Sequence, residues 1–105
     1  MAEIEGETVG YVIGNMVDGS EGHILAVAVA PEHRRRGVGT ALLNAAIAVL
    51  KDKGAKRIRL ESKLNNTHAR KFYSSLGFKE VRVAKGYYRM RGSTEDAMIM
   101  LKDMP

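Results

Sequence analysis

One stretch, residues 29–40, constrains the fold of this chain more than any other. It reads VAPEHRRRGVGT and lies between an apolar run at residues 24–29 and a long amphipathic pattern at residues 41–53. The apolar run is typical of a buried strand, and the amphipathic pattern is typical of a helix. Pro31 ends the strand, because proline lacks the N–H that strand pairing requires. The stretch is therefore predicted to be a turn from a strand into the first turn of a helix.

The composition of this turn indicates a site for an anion. Backbone N–H groups in the first turn of a helix have no intrahelical partner, and the helix dipole adds partial positive charge there. Gly37 and Gly39 remove side chains that would hold a ligand away from those amides. The arginines supply forked donors suited to phosphate, and the threonine adds a hydroxyl. The predicted diphosphate cradle consists of Arg34, Arg35, Arg36, Gly37, Val38, Gly39 and Thr40.

The order of these residues distinguishes between kinds of diphosphate site. The nucleotide-hydrolase loop requires Gly-x-x-x-x-Gly-Lys-Ser/Thr, and the sequence contains no such run. The dinucleotide fingerprint requires a third glycine where this chain has Leu42. Arg34-x-x-Gly37-x-Gly39 instead resembles the Arg/Gln-x-x-Gly-x-Gly/Ala signature of the GNAT superfamily of acetyl-coenzyme A-dependent N-acetyltransferases. The alternative on this motif alone is a basic surface turn that caps a helix.

Hydrophobic periodicity and turn residues predict the elements along the chain. Their order is strand, strand, strand, helix, strand, helix, strand, strand, which is typical of an α/β domain with a mixed sheet. The third strand is apolar on both faces and is therefore predicted to be central and buried. Residues 85–94 are predicted to form a basic loop. The strands are predicted at residues 2–5, 8–17, 24–29, 56–61, 78–83 and 97–101, and the helices at 41–53 and between a cap at 65–67 and Gly77.

A second motif follows the predicted fourth strand. Residues 66–78, NTHARKFYSSLGF, resemble the second GNAT motif, which places Asn at a helix start, continues with Ala and Tyr, and ends in Leu-Gly-Phe. The later Tyr87-Tyr88 and Asp96-Ala97 pairs resemble the ending of the RimI-like and N-terminal protein acetyltransferase branch. The resemblance implies a GNAT-like α/β fold, with a mixed, mostly antiparallel sheet and two main helices.

The resemblance implies that acetyl-CoA is the cosubstrate, and it assigns residues to it. Val27 and Val29 would offer strand backbone groups to the pantetheine arm. Residues 34–40 would hold the diphosphate, and Asn66 would touch the arm. No metal is expected, because the three histidines show no metal-ligand spacing and the chain has no cysteine. The histidines are expected to be solvated or to pack.

The resemblance also implies catalytic and acceptor residues. Tyr73 would protonate the departing thiolate and contact the cofactor, and Glu61 would act through water as the general base. Tyr87 and Tyr88 would line a peptide groove. Each has a structural alternative: Tyr73 as a core residue, Glu61 as an ion partner of the arginines beside it, and the two tyrosines as ordinary loop aromatics. Without cysteine there is no thiolate for an acyl-enzyme, so direct transfer in a ternary complex is expected.

Length and composition bound the protein further. A chain of 105 residues is expected to form a single domain, residues 1–105. The net charge of +5 suggests an anionic partner, which coenzyme A or nucleic acid would satisfy. The absence of cysteine fits the cytoplasm. The N-terminus lacks the profile of a signal peptide, and no apolar run approaches the roughly 18 residues of a membrane span.

The chain departs from the family pattern at its start. GNAT domains usually begin with a strand and two helices before the position of Met1, and those helices close one side of the acceptor site. The chain is therefore a natural minimal form, a truncation, or one half of an assembly in which a second copy covers the open sheet edge.

The acceptor is expected to be a protein N-terminus. The alternatives are a small-molecule amine or a lysine side chain. From other classes, the alternatives are a basic module that binds nucleic acid or ribosomes, and a GNAT fold that no longer catalyses.

Overall fold

The computed structural model describes residues 2–4, 7–29 and 37–104. Within these ranges the chain forms six strands and two helices in the predicted order. The α/β fold class predicted from the sequence is confirmed. The elements are β1 (Ala2–Ile4), β2 (Glu7–Met16), β3 (Glu21–Val29), α1 (Val38–Asp52), β4 (Arg57–Lys63), α2 (Thr67–Ser75), β5 (Lys79–Met90) and β6 (Ser93–Asp103). Neither helix is long and apolar enough to cross a membrane.

The strands form one sheet in the order β1-β2-β3-β4-β6-β5. Only β3 and β4 are parallel among these neighbours, and every other neighbouring pair is antiparallel. This follows from the connections: α1 lies between β3 and β4 in the chain, and a helical crossover returns the chain to the same end of the sheet. The predicted mixed, mostly antiparallel sheet is confirmed.

The sheet opens between its two central strands. β3 pairs with β4 only from Glu21↔Arg57 to Ile24↔Leu60, although β3 continues to Val29 and β4 to Lys63. A bulge lies at this point, because Ile13 pairs with Ala26 and Gly14 with Ile24, which leaves Leu25 without an opposite residue on β2. A bulge bends and twists its strand. The second half of β3 therefore turns away from β4, and a cleft opens between them.

The hydrophobic core lies between both helices and one face of the sheet. β4 alternates as predicted, with Ile58 and Leu60 buried and the residues between them more exposed. Leu43 of α1 is 0% exposed, and Tyr73 of α2 packs against the same cluster. The core consists of Ile24, Leu43, Ile47, Leu50, Ala55, Ile58, Leu60, Phe78, Met98 and Met100.

Two sequence predictions about strands are wrong. β3 is central but not buried on both faces: Ile24 is 3% exposed, whereas Leu25 is 53% exposed because the bulge directs it away from the core. Residues 85–94 are not a loop. β5 runs through Tyr87 and Tyr88 to Met90, and β6 begins at Ser93. Gly92 has a φ of 79° in the two-residue turn between them, a conformation that favours glycine.

Candidate active site

Two adjoining cavities occupy the cleft between β3 and β4. The larger is a groove of about 870 Å³ that runs from the start of α1 to α2. The smaller, of about 220 Å³, lies between the diverging strands and includes Glu61 and Tyr88 in its wall. Both cavities share the wall residues Val27, Asn66, Ala69 and Tyr73. A ligand in the groove would therefore reach the smaller cavity beside Tyr73.

The start of α1 forms one end of the groove. Gly37 is the N-cap residue, with a φ of 74° and no side-chain cap. The first helical hydrogen bond runs from Ala41 N–H to the Gly37 carbonyl. The N–H groups of Val38, Gly39 and Thr40 are therefore free of intrahelical partners, and Gly39 and Thr40 line the groove. This end suits an anionic group, as the sequence predicted. Arg34, Arg35 and Arg36 lie outside the described residues.

The second half of β3 forms the floor of the groove. After Ile24 the register gives β3 no partner on β4, so the peptide groups on that edge face the cleft. Val27 lines both cavities. The backbone of Val29 belongs to the strand, and its side chain lies outside the described part of the chain. An unpaired strand edge can hydrogen-bond an extended, amide-bearing ligand as a further strand would.

The start of α2 forms the opposite wall. Asn66 caps the helix, as predicted: its Oδ1 accepts the Ala69 N–H at 3.1 Å. This bond fixes the orientation of the side-chain amide, which lines both cavities. His68, on the same helix, also lines the groove. Asn66 therefore lies in the wall of the cleft, and its contact with the cofactor arm stays a prediction.

Tyr73 lies where the two cavities meet. Its ring packs against Phe72 and Phe78, with centroid separations of 5.5 and 6.3 Å. Burial raises the pKa of its phenol above the ordinary value of 10.0, because the phenolate would lose hydration. The hydroxyl is therefore protonated at neutral pH and able to donate a hydrogen bond into the cleft. Tyr73 thus packs against the hydrophobic core and also forms part of the wall of both cavities.

Glu61 forms the acidic wall of the smaller cavity, and its side chain is 6% exposed. Its Oε1 lies 2.7 Å from His23 Nε2, and its Oε2 lies 3.3 Å from Arg59 Nη1. The geometry of the second contact is not that of a hydrogen bond, so Oε2 has no hydrogen-bond partner among the described residues. The neighbouring Arg57 pairs with Glu21 instead. Glu61 is thus an ion partner of Arg59 and also a buried carboxylate with one oxygen available.

His23 is the site residue that sequence reasoning missed. It was expected to be solvated or to pack, but its side chain is 14% exposed and bonded to Glu61. The pairing arises because Glu21–Ile24 lies beside Arg57–Leu60, which places His23 next to Arg59 and one residue from Glu61. A strand histidine in the sequence gives no signal of its partner, since the residues are 38 positions apart.

Tyr88 of β5 forms part of the wall of the smaller cavity, and Tyr87 packs against Tyr88. Their rings are 5.0 Å apart and nearly perpendicular, and Lys63 Nζ is 6.0 Å from the centroid of Tyr88. The pKa of Tyr87 is raised by burial and then by the Glu61 carboxylate. The pKa of Tyr88 is raised by burial, then by Tyr87, Glu61 and Tyr73. Tyr88 therefore lies in the wall of the same cavity as Glu61, and Tyr87 lies close to this carboxylate, on a strand rather than on the predicted loop.

Comparison with known proteins identifies the family of this arrangement. The model of the acetyltransferase (GNAT) family matches residues 1–78. The chain is 37% identical over 112 residues to the N-alpha-acetyltransferase of Sulfurisphaera tokodaii, covering 95% of this chain and 65% of that protein. It is 38% identical over 80 residues to the ribosomal protein bS18-alanine N-acetyltransferase of Escherichia coli K12, covering 76% of this chain and 54% of that protein.

One solved structure is similar to this chain over nearly its whole length. The crystal structure of Chaetomium thermophilum Naa20 in complex with a bisubstrate analogue matches with a TM-score of 0.90 and 33% identity. The match covers 98% of this chain and 64% of that chain. The chain therefore spans just under two thirds of the length of the Sulfurisphaera protein and of Naa20.

Proposed function

The chain belongs to the acetyltransferase (GNAT) family, and on this premise we propose that it transfers the acetyl group of acetyl-CoA to the α-amino group of protein N-termini. The similarity to proteins named N-alpha-acetyltransferase and ribosomal protein bS18-alanine N-acetyltransferase supports this acceptor class. The observation that carries the proposal is the cleft itself. A groove with free helix amides at one end meets, at Tyr73, a second cavity walled by Glu61.

The residues that line the groove support acetyl-CoA as the cosubstrate. Free N–H groups at the start of α1, together with the arginines before it, suit the diphosphate. The unpaired edge of β3 at Val27 and Val29 suits the amides of the pantetheine arm, and Asn66 would contact the same arm. Acetyl-CoA would supply the activated acetyl thioester. The strand N–H groups beside the thioester would polarise its carbonyl.

The reaction requires two proton transfers, and we assign each to a different group where the two cavities meet. Tyr73 holds its proton at neutral pH and would donate it to the departing thiolate. The buried pair of Glu61 and His23 would accept a proton from the attacking amine, with a water between the amine and the carboxylate. His23 bonds to one oxygen of Glu61 and so fixes the carboxylate in the cavity wall. Since the chain contains no cysteine, we expect direct transfer without a cysteinyl intermediate.

A carboxylate base that acts through water favours α-amines over lysine side chains as acceptors. An α-amine with a pKa of about 7.8 is roughly 10–15% neutral at pH 7, whereas a lysine with a pKa of about 10.4 is neutral at only about 0.04%. Carboxylates are weaker bases than amines, so we expect the acceptor to arrive largely neutral. Tyr87 and Tyr88 would line the groove that receives the peptide. Association with ribosomes or with a second copy, and a cytoplasmic location, remain predictions from the sequence.

Two measurements on the purified chain test the proposal. The first is calorimetric titration of acetyl-CoA, with free CoA for comparison, for which we expect saturable binding at micromolar or lower concentration. The second is acetyl transfer to a peptide with a free N-terminus, the same peptide with a blocked N-terminus, and a blocked peptide that contains lysine. We expect transfer to the first alone.

Tyr73→Phe provides the control variant for these assays. It keeps the ring in the core and removes only the hydroxyl, so acetyl-CoA affinity should stay within about twofold while turnover falls roughly a hundredfold or more. Transfer to the blocked lysine peptide would favour the side-chain acceptor instead. Binding without transfer to any amine would favour a degenerate fold.

A further inference from the structure

We propose that Asp96 is a positioning residue that joins the two walls of the acceptor cavity, so that its carboxylate orders Tyr87 and Tyr88 for the peptide. This inference rests on the proposed function for its effect on substrate, but its geometric part stands on the fold alone. Asp96 is not a catalytic residue here, because no cavity of the proposed active site includes it in its wall.

The first observation is an irregularity in the pairing of β5 with β6. Ala84 pairs with Ala97, and the next pair is Tyr88 with Glu95. Residues 85–87 of β5 therefore lie opposite Asp96 alone. Such a bulge interrupts the ladder of hydrogen bonds and leaves backbone groups in need of other partners. Asp96 supplies one: its Oδ1 accepts the backbone N–H of Gly86 at 2.8 Å in a half-buried position.

The second observation is the conformation of the bulge. Gly86 has a φ of 63°, in the left-handed region that favours glycine. The next two residues are Tyr87 and Tyr88, whose rings stack edge to face beside Glu61 and Lys63. The bond from Gly86 to Asp96 thus holds the residue immediately before the pair. Without this bond the Gly86 N–H would lose its acceptor, and we expect the two rings to be held less firmly.

The third observation is that Asp96 also forms a hydrogen bond with the turn between β4 and α2. Its backbone carbonyl accepts the N–H of Leu64 at 2.9 Å. Leu64 lies between β4, which carries Glu61, and the start of α2 at Asn66. The Leu64 carbonyl in turn accepts Arg70 Nη1 at 2.8 Å. One residue therefore connects the strand of the tyrosines with the turn that joins the carboxylate to the cofactor wall.

The chemistry of the side chain predicts which variants matter. Asp96→Ala removes the acceptor and leaves the Gly86 N–H half-buried without a partner. Such a loss commonly changes the equilibrium between the ordered and the open conformation tenfold or more. Asp96→Asn keeps an oxygen acceptor on a side chain of the same shape and should restore the bond. Asp103→Ala is the matched control, because it removes an exposed carboxylate from the far end of the same strand.

The experiment combines amide hydrogen exchange with steady-state kinetics on the full chain. In NMR spectra of the labelled protein, the Gly86 amide should be protected in the parent, in Asp96→Asn and in Asp103→Ala, and should exchange at least tenfold faster in Asp96→Ala. The KM for the peptide should rise about tenfold in Asp96→Ala alone, with acetyl-CoA affinity within twofold of the parent.

The outcomes separate this inference from the proposed function. An unprotected Gly86 amide in the parent, or equal protection in Asp96→Ala, would overturn the inference whether or not the chain is active. An active parent whose peptide KM is unchanged in Asp96→Ala would also overturn it. A parent that binds acetyl-CoA but acetylates no peptide would count against the proposed function, while the exchange rates would still decide the role of Asp96.

Discussion

Individual side chains acquire their chemistry here from partners that are distant in the sequence. Glu61 is surrounded by Arg59, His23 and Tyr87, and it has a different contact with each. The contact with His23 is 2.7 Å long. Removing Glu61 would leave His23 without this partner, whereas Arg59 would keep Glu21, whose Oε2 lies 3.5 Å from its Nε. A variant at Glu61 therefore tests charge pairing together with the proposed proton transfer.

Tyr73 gives a prediction that depends on pH. Because burial raises its pKa above 10.0, the folded state holds this proton more tightly than the unfolded state does. The contribution of protonated Tyr73 to stability is fully present below pH 10 and is lost as pH rises through the raised pKa. The free energy of unfolding should therefore fall with rising pH in that range. Ultraviolet absorbance of tyrosinate should show a late-titrating component that is missing in Tyr73→Phe. A variant with the same titration curve as the parent would contradict the burial of the phenol.

At the level of strands and helices, the site depends on how closely α1 approaches β3. A Cβ built on Gly22 would lie 3.0 Å from Cδ1 of Leu50 and 3.4 Å from its Cβ and Cγ. Leu50 is itself 3% exposed and part of the core. The absence of a side chain at Gly22 thus lets the helix pack directly on the strand, one residue before His23.

Gly22→Val is therefore expected to destabilise the fold. The added branches would press on Leu50 and displace α1 or its side chains, which typically costs about 1–3 kcal/mol. Gly19→Val is a matched control, because a Cβ at Gly19 meets nothing within 4 Å. Denaturant unfolding measures both. Equal stability of the two variants would mean that α1 does not contact β3 at Gly22.

The charge of the whole molecule is unevenly distributed along the chain. All 17 lysines and arginines follow residue 30, although the net charge of the protein is +5. The hairpin of β1 and β2 and the strand β3 therefore contribute no cationic side chain. The positive charge lies in the part of the chain that begins at the predicted diphosphate cradle, residues 34–40. Such a field attracts an anionic ligand at long range and is screened by salt.

Acetyl-CoA affinity should therefore depend on ionic strength. We expect it to fall about tenfold between 50 and 500 mM NaCl, because screening weakens the contacts of the arginines with phosphate. Arg34→Gln should lower the affinity and flatten this dependence. Calorimetric titration at several salt concentrations measures both effects. A salt-independent affinity would indicate that the diphosphate does not lie against the cationic turn.

Much of the fold and part of the site could be predicted from the sequence alone. The order of the elements, the alternation of Ile58 and Leu60 and the cap at Asn66 are local properties, fixed by period and by turn chemistry. The strand at Tyr87 and Tyr88 was missed because its glycine and basic residues are typical of a loop. Pairing with β6 and the contact of Gly86 with Asp96 outweigh that local tendency.

The residues at 29–40 and 66–78 were sufficient to predict a strand, two helices and the family to which the chain belongs. These features depend on backbone groups that a short segment presents without help from the rest of the chain. The bulge at Leu25, the cleft beyond Ile24 and the bond between His23 and Glu61 depend on the register of strands that are far apart in the sequence. Register is set by the packing of the whole sheet, so no single segment contains it.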